Sequence, residues 1–418
     1  VNLYLEYAET KSGATPGLFM TTPGLDFGVT VGSGPIRALR AVQASDLAVF
    51  HYGIPSLYLV TGNEVYNGFA GFVFGGPVGS IATSSGPAYL IDNSQQVAVF
   101  DQTGAWLVAG TTTPIVLPFG TPGTPIYQDG FVLVNVVGTN AIYQSDSLDL
   151  TTWDPLNFAL SQGDSDLIVA LGQLHQQMIV LKQYEAEFWI NAGTAGFAFQ
   201  RLQGVTLQKG CIAPQSVATT DDAIFWLGQE RSGASNVVYM MGGYEGEEIS
   251  TAALSTEWST YPTTADATAY TQMIGGHHYY VITFPSAPNG GTTWAFDIKA
   301  SKMAKSPIWH ERAYFSNGAF SRELACCFAN FAGVPVAGDY RNGNLYTVNP
   351  TGSLDNGQPR KWVRSWRARP KPQLEAVRYN FLELNMQTGI GVPDGTNPQI
   401  VLRWYDTAQN WSEPRILS

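Results

Sequence analysis

Charged side chains are scarce in this 418-residue chain. They make up 13% of it, about half the usual share, which leaves little Lys and Glu to clothe the outer faces of helices. Cysteine is nearly absent. Cys211, Cys326 and Cys327 are the only three, two adjacent and one distant, which excludes a disulfide framework and suits small buried thiols in a reducing cytoplasm. No stretch of 18 apolar residues runs without polar interruption, so no membrane span is expected, and no signal peptide opens the chain. Positive charge is the scarcer sign: 22 Lys and Arg against 33 Asp and Glu give a net charge of −11. A surface so acidic disfavours general nucleic-acid binding, which needs a basic footprint. Helical periodicity is almost missing too. So are the Walker loop, the dinucleotide fingerprint, the zincin motif, the nucleophile elbow and paired-cysteine metal sites. No catalytic residue, metal or cofactor is assigned.

What is present is strand material. Aromatic residues reach 12% and apolar residues 44%, enough burial to offset ordering entropy. Short apolar runs bounded by Gly, Pro, Asn, Asp and Ser dominate, the mark of strands and tight turns. They come in groups: 47–50, 56–60 and 65–66; 88–91, 96–100 and 106–108; 131–137 and 141–145; 177–182, 185–190 and 198–202; 223–227 and 236–240; 278–284, 292–297 and 309–314; 325–331, 334–339 and 344–348. Residues 164–177 read equally as helix or strand. Groups recurring at roughly 40–50 residues are the sequence form of propeller blades. One such sheet cannot bury both faces alone, whereas a ring of them can. The fold class expected is all-β, a β-propeller of six or seven blades over 35–350, with a pair of β-sandwiches as the alternative. An N-terminal arm or closing strand (1–34) and a small C-terminal β segment (351–418) complete the division.

Residues 360–371 carry six positive and no negative charges. Arg360, Lys361, Trp362, Arg364, Trp366, Arg367, Arg369 and Lys371 are the candidate contact with a neighbouring subunit or adaptor, because Trp and Arg anchor interfaces. Read as a strand, Trp362, Arg364 and Trp366 share one face. A solvated edge strand protected by its charges is the plainer reading.

Three other features invite chemistry. His277 and His278 are adjacent, and in a strand they point to opposite faces, so they do not share a metal; the same argument applies to Cys326 and Cys327. Residues 145–153 and 406–411 resemble the Asp-box turn of sialidases, a structural turn without chemistry. Propellers host glycosidases, so a glycosidase or carbohydrate-binding protein is the alternative function. A sialidase needs several converging arginines, yet only Arg37, Arg40 and Arg201 precede Arg231.

Four stretches resemble one family. Asn2-Leu3-Tyr4-Leu5-Glu6 is similar to its "NLYPE" segment, and Thr15-Pro16-Gly17-Leu18 and Thr22-Pro23-Gly24-Leu25 to its "TPGL" segment. Gly34-Pro35-Ile36-Arg37-Ala38-Leu39 is similar to "GPVRGL". Near the end, Pro398-Gln399-Ile400-Val401-Leu402-Arg403-Trp404 and Trp411-Ser412 resemble "PQVMLRWSDDGGHTWS", although the turn at 405–410 lacks the glycines. The family is that of packaged-DNA stabilisation proteins, the tail hub or nozzle proteins of short-tailed bacteriophages. The resemblance implies a virion tail protein made in the host bacterial cytoplasm and assembled as a homo-hexameric ring. That ring would sit below the portal and its head-to-tail adaptor proteins, with a plug or needle and tail fibres or spikes as further partners. Double-stranded DNA would pass through it transiently. Relatives continue past the position of Ser418, so a C-terminal extension is expected. A genome must slide without sticking, and the acidity of the chain predicts a channel wall that repels phosphate; the plainer reading is that acidity keeps an abundant β protein soluble during assembly.

Overall fold

The apolar runs among the described residues form strands of antiparallel hairpins, and several of the turns between strands are made by side chains that bond the backbone two residues ahead. Asp101 Oδ1 accepts from Thr103 N at 2.7 Å, Asp339 Oδ1 from Arg341 N at 2.7 Å, and Asn349 Oδ1 from Thr351 N at 3.0 Å. This is the Asx-turn chemistry expected of Asn and Asp. The computed structural model describes residues 1–7, 17–42, 55–163, 165–233, 235–366, 399–404 and 411–417.

The hairpins build a seven-bladed β-propeller. The blades are the sheets of residues 36–80, 88–115, 122–160, 168–207, 210–248, 268–322 and 325–359, numbered 1 to 7 here in chain order. The first strand of each blade is innermost. These strands touch in order around the ring, blade 5 doing so through Ala218–Thr219, which continues the inner position after Gly210–Cys211, and that of blade 7 (Ala325–Phe331) meets that of blade 1 (Ile36–Val42). Seven buried apolar clusters occupy the seven spaces between neighbouring blades. The alternation of strand side chains explains the unbroken apolar runs. Val97 and Val99 pack toward blade 1 while Ala98 and Phe100 pack toward blade 3. A sandwich pair is thereby excluded, and of the two blade counts expected, seven is correct.

The ring is closed by a strand from the other end of the chain. A hairpin of β1 (Leu3–Tyr7) and β2 (Gly17–Thr21) leads into β3 (Gly24–Thr30). β3 pairs antiparallel with Asn344–Asn349 as the fourth strand of blade 7, and the short pair Leu354–Asp355 and Gln358–Pro359 extends that sheet beyond it. Leu25 fills the cluster between blades 6 and 7, and Val29 packs on that between blades 7 and 1. Gly24 is required by proximity: a Cβ there would lie 2.7 Å from Leu354 O.

Helix is confined to α1 (Ala252–Trp258), α2 (Ile298–Ala304) and two single 3-10 turns among the described residues. The ambiguous stretch at 164–177 contains the strand Ile168–Leu174. No helix among the described residues is long and apolar enough to cross a membrane. Ile400–Leu402 and Arg415–Leu417 form a two-stranded pair; residues 47–50 lie outside the described residues.

Leu25 is 2% exposed and belongs to the strand that closes the ring. Leu25→Ala is expected to destabilise the propeller by about 2–5 kcal/mol, read as a lower urea midpoint. The same substitution at Leu18, half exposed on the hairpin, should leave the midpoint unchanged.

Candidate functional site

The two ends of the described propeller chain meet on the outer rim of blades 6 and 7, and their contacts form a clasp. Asn2 begins it. Its φ is 58°, a left-handed conformation that Asn tolerates, and it is fully buried. Its backbone N–H donates to Glu311 O at 2.8 Å. Its side-chain amide donates to Ala313 O (2.8 Å) and Lys361 O (3.0 Å) and accepts from Ala313 N (2.9 Å). The side chain thus acts as one more backbone unit beside the strand Trp309–Ser316. The Val1 amine donates to Val363 O at 2.8 Å, and Val363 N returns a bond to Val1 O at 3.2 Å.

Arg360 is the second member. It is 7% exposed. Its guanidinium donates to the carbonyls of Thr22 and Pro23 and to Thr22 Oγ1 (2.6 Å), and pairs with Asp355 at 3.0 Å. This corrects the sequence reading of Arg360 as a surface contact: it is an internal tie between the end of blade 7 and the approach to β3. The strand expected for the basic segment is also corrected, because residues 361–366 run beside the hairpin without strand pairing. Lys361, Trp362, Arg364 and Trp366 do lie on the surface. Lys361 Nζ stands 4.5 Å from the Phe315 ring, and the Arg364 guanidinium 4.1 Å from that of Phe19. These cation–π contacts leave the charges in water. Among the described residues neither cation has a salt bridge. Trp366 is 55% exposed and Trp362 40%, and Leu18, Phe19 and Met20 of the adjoining hairpin are exposed as well. Arg367, Arg369 and Lys371 lie outside the described residues.

The third member is His277, whose partners were not foreseen in the sequence. His277 and His278 turn to opposite sides as strand geometry requires, His278 outward and His277 into the clasp. His277 Nε2 meets Glu6 at 2.5 Å and its Nδ1 meets Asp297 at 2.7 Å, while Glu6 also pairs with Lys299 at 3.3 Å. Asp297 uses its other oxygen to cap α2 through Ala300 N at 2.9 Å. Tyr4 packs edge-on against His277 at 5.2 Å, and Tyr279 stacks on the imidazole at 5.7 Å. Burial draws the His277 pKa down, but the hydrogen bonds and charges of Asp297 and Glu6 outweigh it and hold the pKa above its ordinary 6.5. Burial lifts the Glu6 carboxyl, yet His277 and Lys299 hold it below its ordinary 4.5. The nearby His310 is kept neutral by burial and then by Arg312.

The other features are structural. Asp149, in the Asp-box-like turn, bonds Thr151 N at 2.8 Å and the hydroxyls of Thr151 and Thr152 at 2.7 Å each, and Trp153 is buried beneath. The similar stretch at 406–411 falls mostly outside the described residues. Arg37 donates to the carbonyls of Gly62, Thr83, Ser85, Gly86 and Pro87, tying the connection between blades 1 and 2. The two buried carboxylates of blade 4 are matched, Lys182 lying 2.8 Å from Glu185 and 3.6 Å from Glu187. Strict alternation fails at the cysteine pair. A β-bulge between Ala325 and Cys327 brings the two sulfurs to 3.9 Å, and all three cysteines are free thiols.

Two outcomes follow. Arg360→Ala leaves Asp355 buried without its partner and is expected to cost about 3–5 kcal/mol, measured by urea denaturation. The His277 contribution has the opposite pH sign to that of Glu6. A raised histidine pKa stabilises fully below 6.5 and is lost as pH rises through the folded value. A lowered glutamate pKa stabilises above 4.5 and is lost as pH falls through the folded value. Docking of the hairpin is therefore firmest between these two values. Protection of Leu3–Tyr7 amides, corrected for intrinsic exchange, should fall above that window, and His277→Gln should flatten the dependence.

Three comparisons bear on the chain. A family model described as bacteriophage P22 Gp10, β-propeller, matches residues 1–353. No protein of curated function matches. Among solved structures, the Pan2 WD40 domain of Neurospora crassa is 10% identical, with 77% of this chain and 91% of that chain covered, at a TM-score of 0.43. The extracellular domain of a putative hybrid two-component system of B. thetaiotaomicron is 8% identical, covering 78% of this chain and 39% of that one, at a TM-score of 0.48. The matched model takes in Asn2, Tyr4, Glu6, Thr22 to Leu25 and Arg37, the residues through which the clasp and the first blade are tied, and ends before Arg360. The chain belongs to the family of the bacteriophage P22 Gp10 β-propeller, the phage packaged-DNA stabilisation proteins.

Proposed function

We propose that this chain is a non-catalytic structural subunit of a phage tail. In this reading it forms a ring, a homo-hexamer, below the portal and its adaptor, retains packaged DNA and conducts it during ejection. The observation that carries the reading is the family match over residues 1–353, coupled to a clasp that presents exposed tryptophans and cations without a salt bridge among the described residues. A lone propeller has no use for such a surface, whereas a subunit needs anchors of this type. The plug or needle and the fibre or spike would engage other faces of the assembled ring. No observation favours the glycosidase reading.

Transport sets a condition on the channel. Each chain carries −11. A basic wall would release counterions on binding phosphate and hold the strand, with affinity rising steeply as salt falls. An acidic wall repels DNA near its surface, since charges are screened beyond about 8 Å at physiological ionic strength.

Native mass measurement together with negative-stain images tests the ring. A closed hexamer with a central hole is expected, and a monomer at all accessible concentrations overturns the reading. The assembled ring should show no retention of linear duplex DNA between 200 and about 50 mM salt. Retention that strengthens steeply across that range would mean an adhesive wall, and the non-adhesive channel would be discarded.

A further inference from the structure

Charge is segregated around the propeller. From residue 41 to residue 181 the sequence has ten Asp and Glu and not one Lys or Arg. That block makes up most of blade 1, all of blades 2 and 3 and the first hairpin of blade 4. The clasp at blades 6 and 7 lies across the ring from blade 3 and presents Lys361 and Arg364 with no carboxylate paired to either among the described residues.

The acidic side also has apolar anchors. The outermost strand of blade 3, Phe158–Leu160, pairs only with Ala141–Gln144 and has an open edge. Leu156 just before it is 78% exposed, and Val116 at the end of blade 2 is 84% exposed. Phe158 is held rigidly: it stacks on Tyr143 at 5.3 Å, which stacks on Phe119 at 4.6 Å, which meets Trp153 edge-on at 5.6 Å. A fixed aromatic platform costs little ordering entropy on binding. Asp154 is exposed and Asp146 half-buried in the same loop, and among the described residues neither has a salt bridge.

We propose that the basic, tryptophan-bearing clasp of one copy docks on the acidic outer side of blade 3 of a second copy, since the two carboxylates of blade 2 are already engaged, Asp92 with Arg40 and Asp101 by burial. The inference rests on the ring reading above and names the two surfaces that would join its subunits. The contact is heterologous because its two patches lie on opposite sides of the propeller. A two-fold contact centred on either patch would set clasp against clasp or edge against edge, like charge facing like, and such juxtapositions are costly. A head-to-tail contact sets cation against carboxylate, and a chain of such contacts closes into a ring when its rotation permits. Lys361 and Arg364 would meet Asp146 and Asp154, while Phe19, Trp362 and Trp366 would cover Leu156 and Phe158.

Charge exchange tests this on the full chain. One variant carries Lys361→Glu and Arg364→Glu; the other carries Asp146→Lys and Asp154→Lys. Circular dichroism melting first establishes that each folds as the parent does. Each variant alone is expected to sediment as a monomer at concentrations where the parent is assembled, an affinity loss of at least about tenfold. Mixed in equal amounts, the two should assemble again, because each clasp then finds an edge of opposite charge. Variants that assemble as the parent does, or a mixture that stays monomeric, would overturn the inference while leaving the ring standing. A parent that is itself monomeric would overturn both.

Discussion

A β-sheet with two apolar faces has no stable existence alone, and this constraint governs the whole molecule. Each blade needs a neighbour on both sides, so the row of sheets must either end in an exposed apolar face or come round to its own beginning. Seven sheets come round here, with one buried cluster in every gap. Closure makes blade 7 the critical sheet, because three of its inner strands come from residues 325–349 and the fourth from residues 24–30. Hydrogen bonds between β3 and Asn344–Asn349 therefore join the ends of the ring as well as two strands.

The clasp reinforces that junction with polar groups. Arg360 satisfies backbone carbonyls at the entry to β3, and Asn2 continues the backbone pattern of blade 6. Glu6 and Asp297 hold His277 between them. Buried polar groups are tolerable only when their partners are supplied, and here the bonds of Asn2 to Ala313, of Arg360 to Pro23 and of His277 to Glu6 bridge positions far apart in sequence. Such contacts fix the relative position of the ends without adding apolar area. The exposed surface of the clasp owes its position to them, since Lys361 to Trp366 follow directly on Arg360.

The architecture was legible in the sequence because its signal repeats. Turn residues at regular spacing and continuous apolar runs are dictated by blades buried on both faces. The reading took three strands from most groups and missed a fourth. The strands Pro122–Gln128 and Thr268–Ile274 went unseen because prolines, glycines and polar residues break their apolar pattern. α1 and α2 were missed because seven residues give too little periodicity to stand out. At the clasp the resemblance marked Asn2, Tyr4, Glu6 and Thr22 to Leu25 without a physical reason for any of them. Arg360 was misread because a run of like charge reads as surface. Which of its members turns inward is decided by carbonyls more than 300 positions away. His277 had the same difficulty, its partner Glu6 being 271 positions distant.

Closure by the first strand also has a consequence in time. β3 emerges from the ribosome early, but Asn344–Asn349 is made some 320 residues later. At roughly 5–20 residues per second, that is a wait of about 16–64 s. Throughout it, β3 is an unpaired strand with Leu25 and Val29 uncovered, the kind of edge that recruits other chains. Each growing chain thus presents an open end until Asn344–Asn349 has been made. Crowded polysomes translating this message would put many such ends close together, and exchange of β3 between neighbouring nascent chains is the assembly error to which this topology is most exposed.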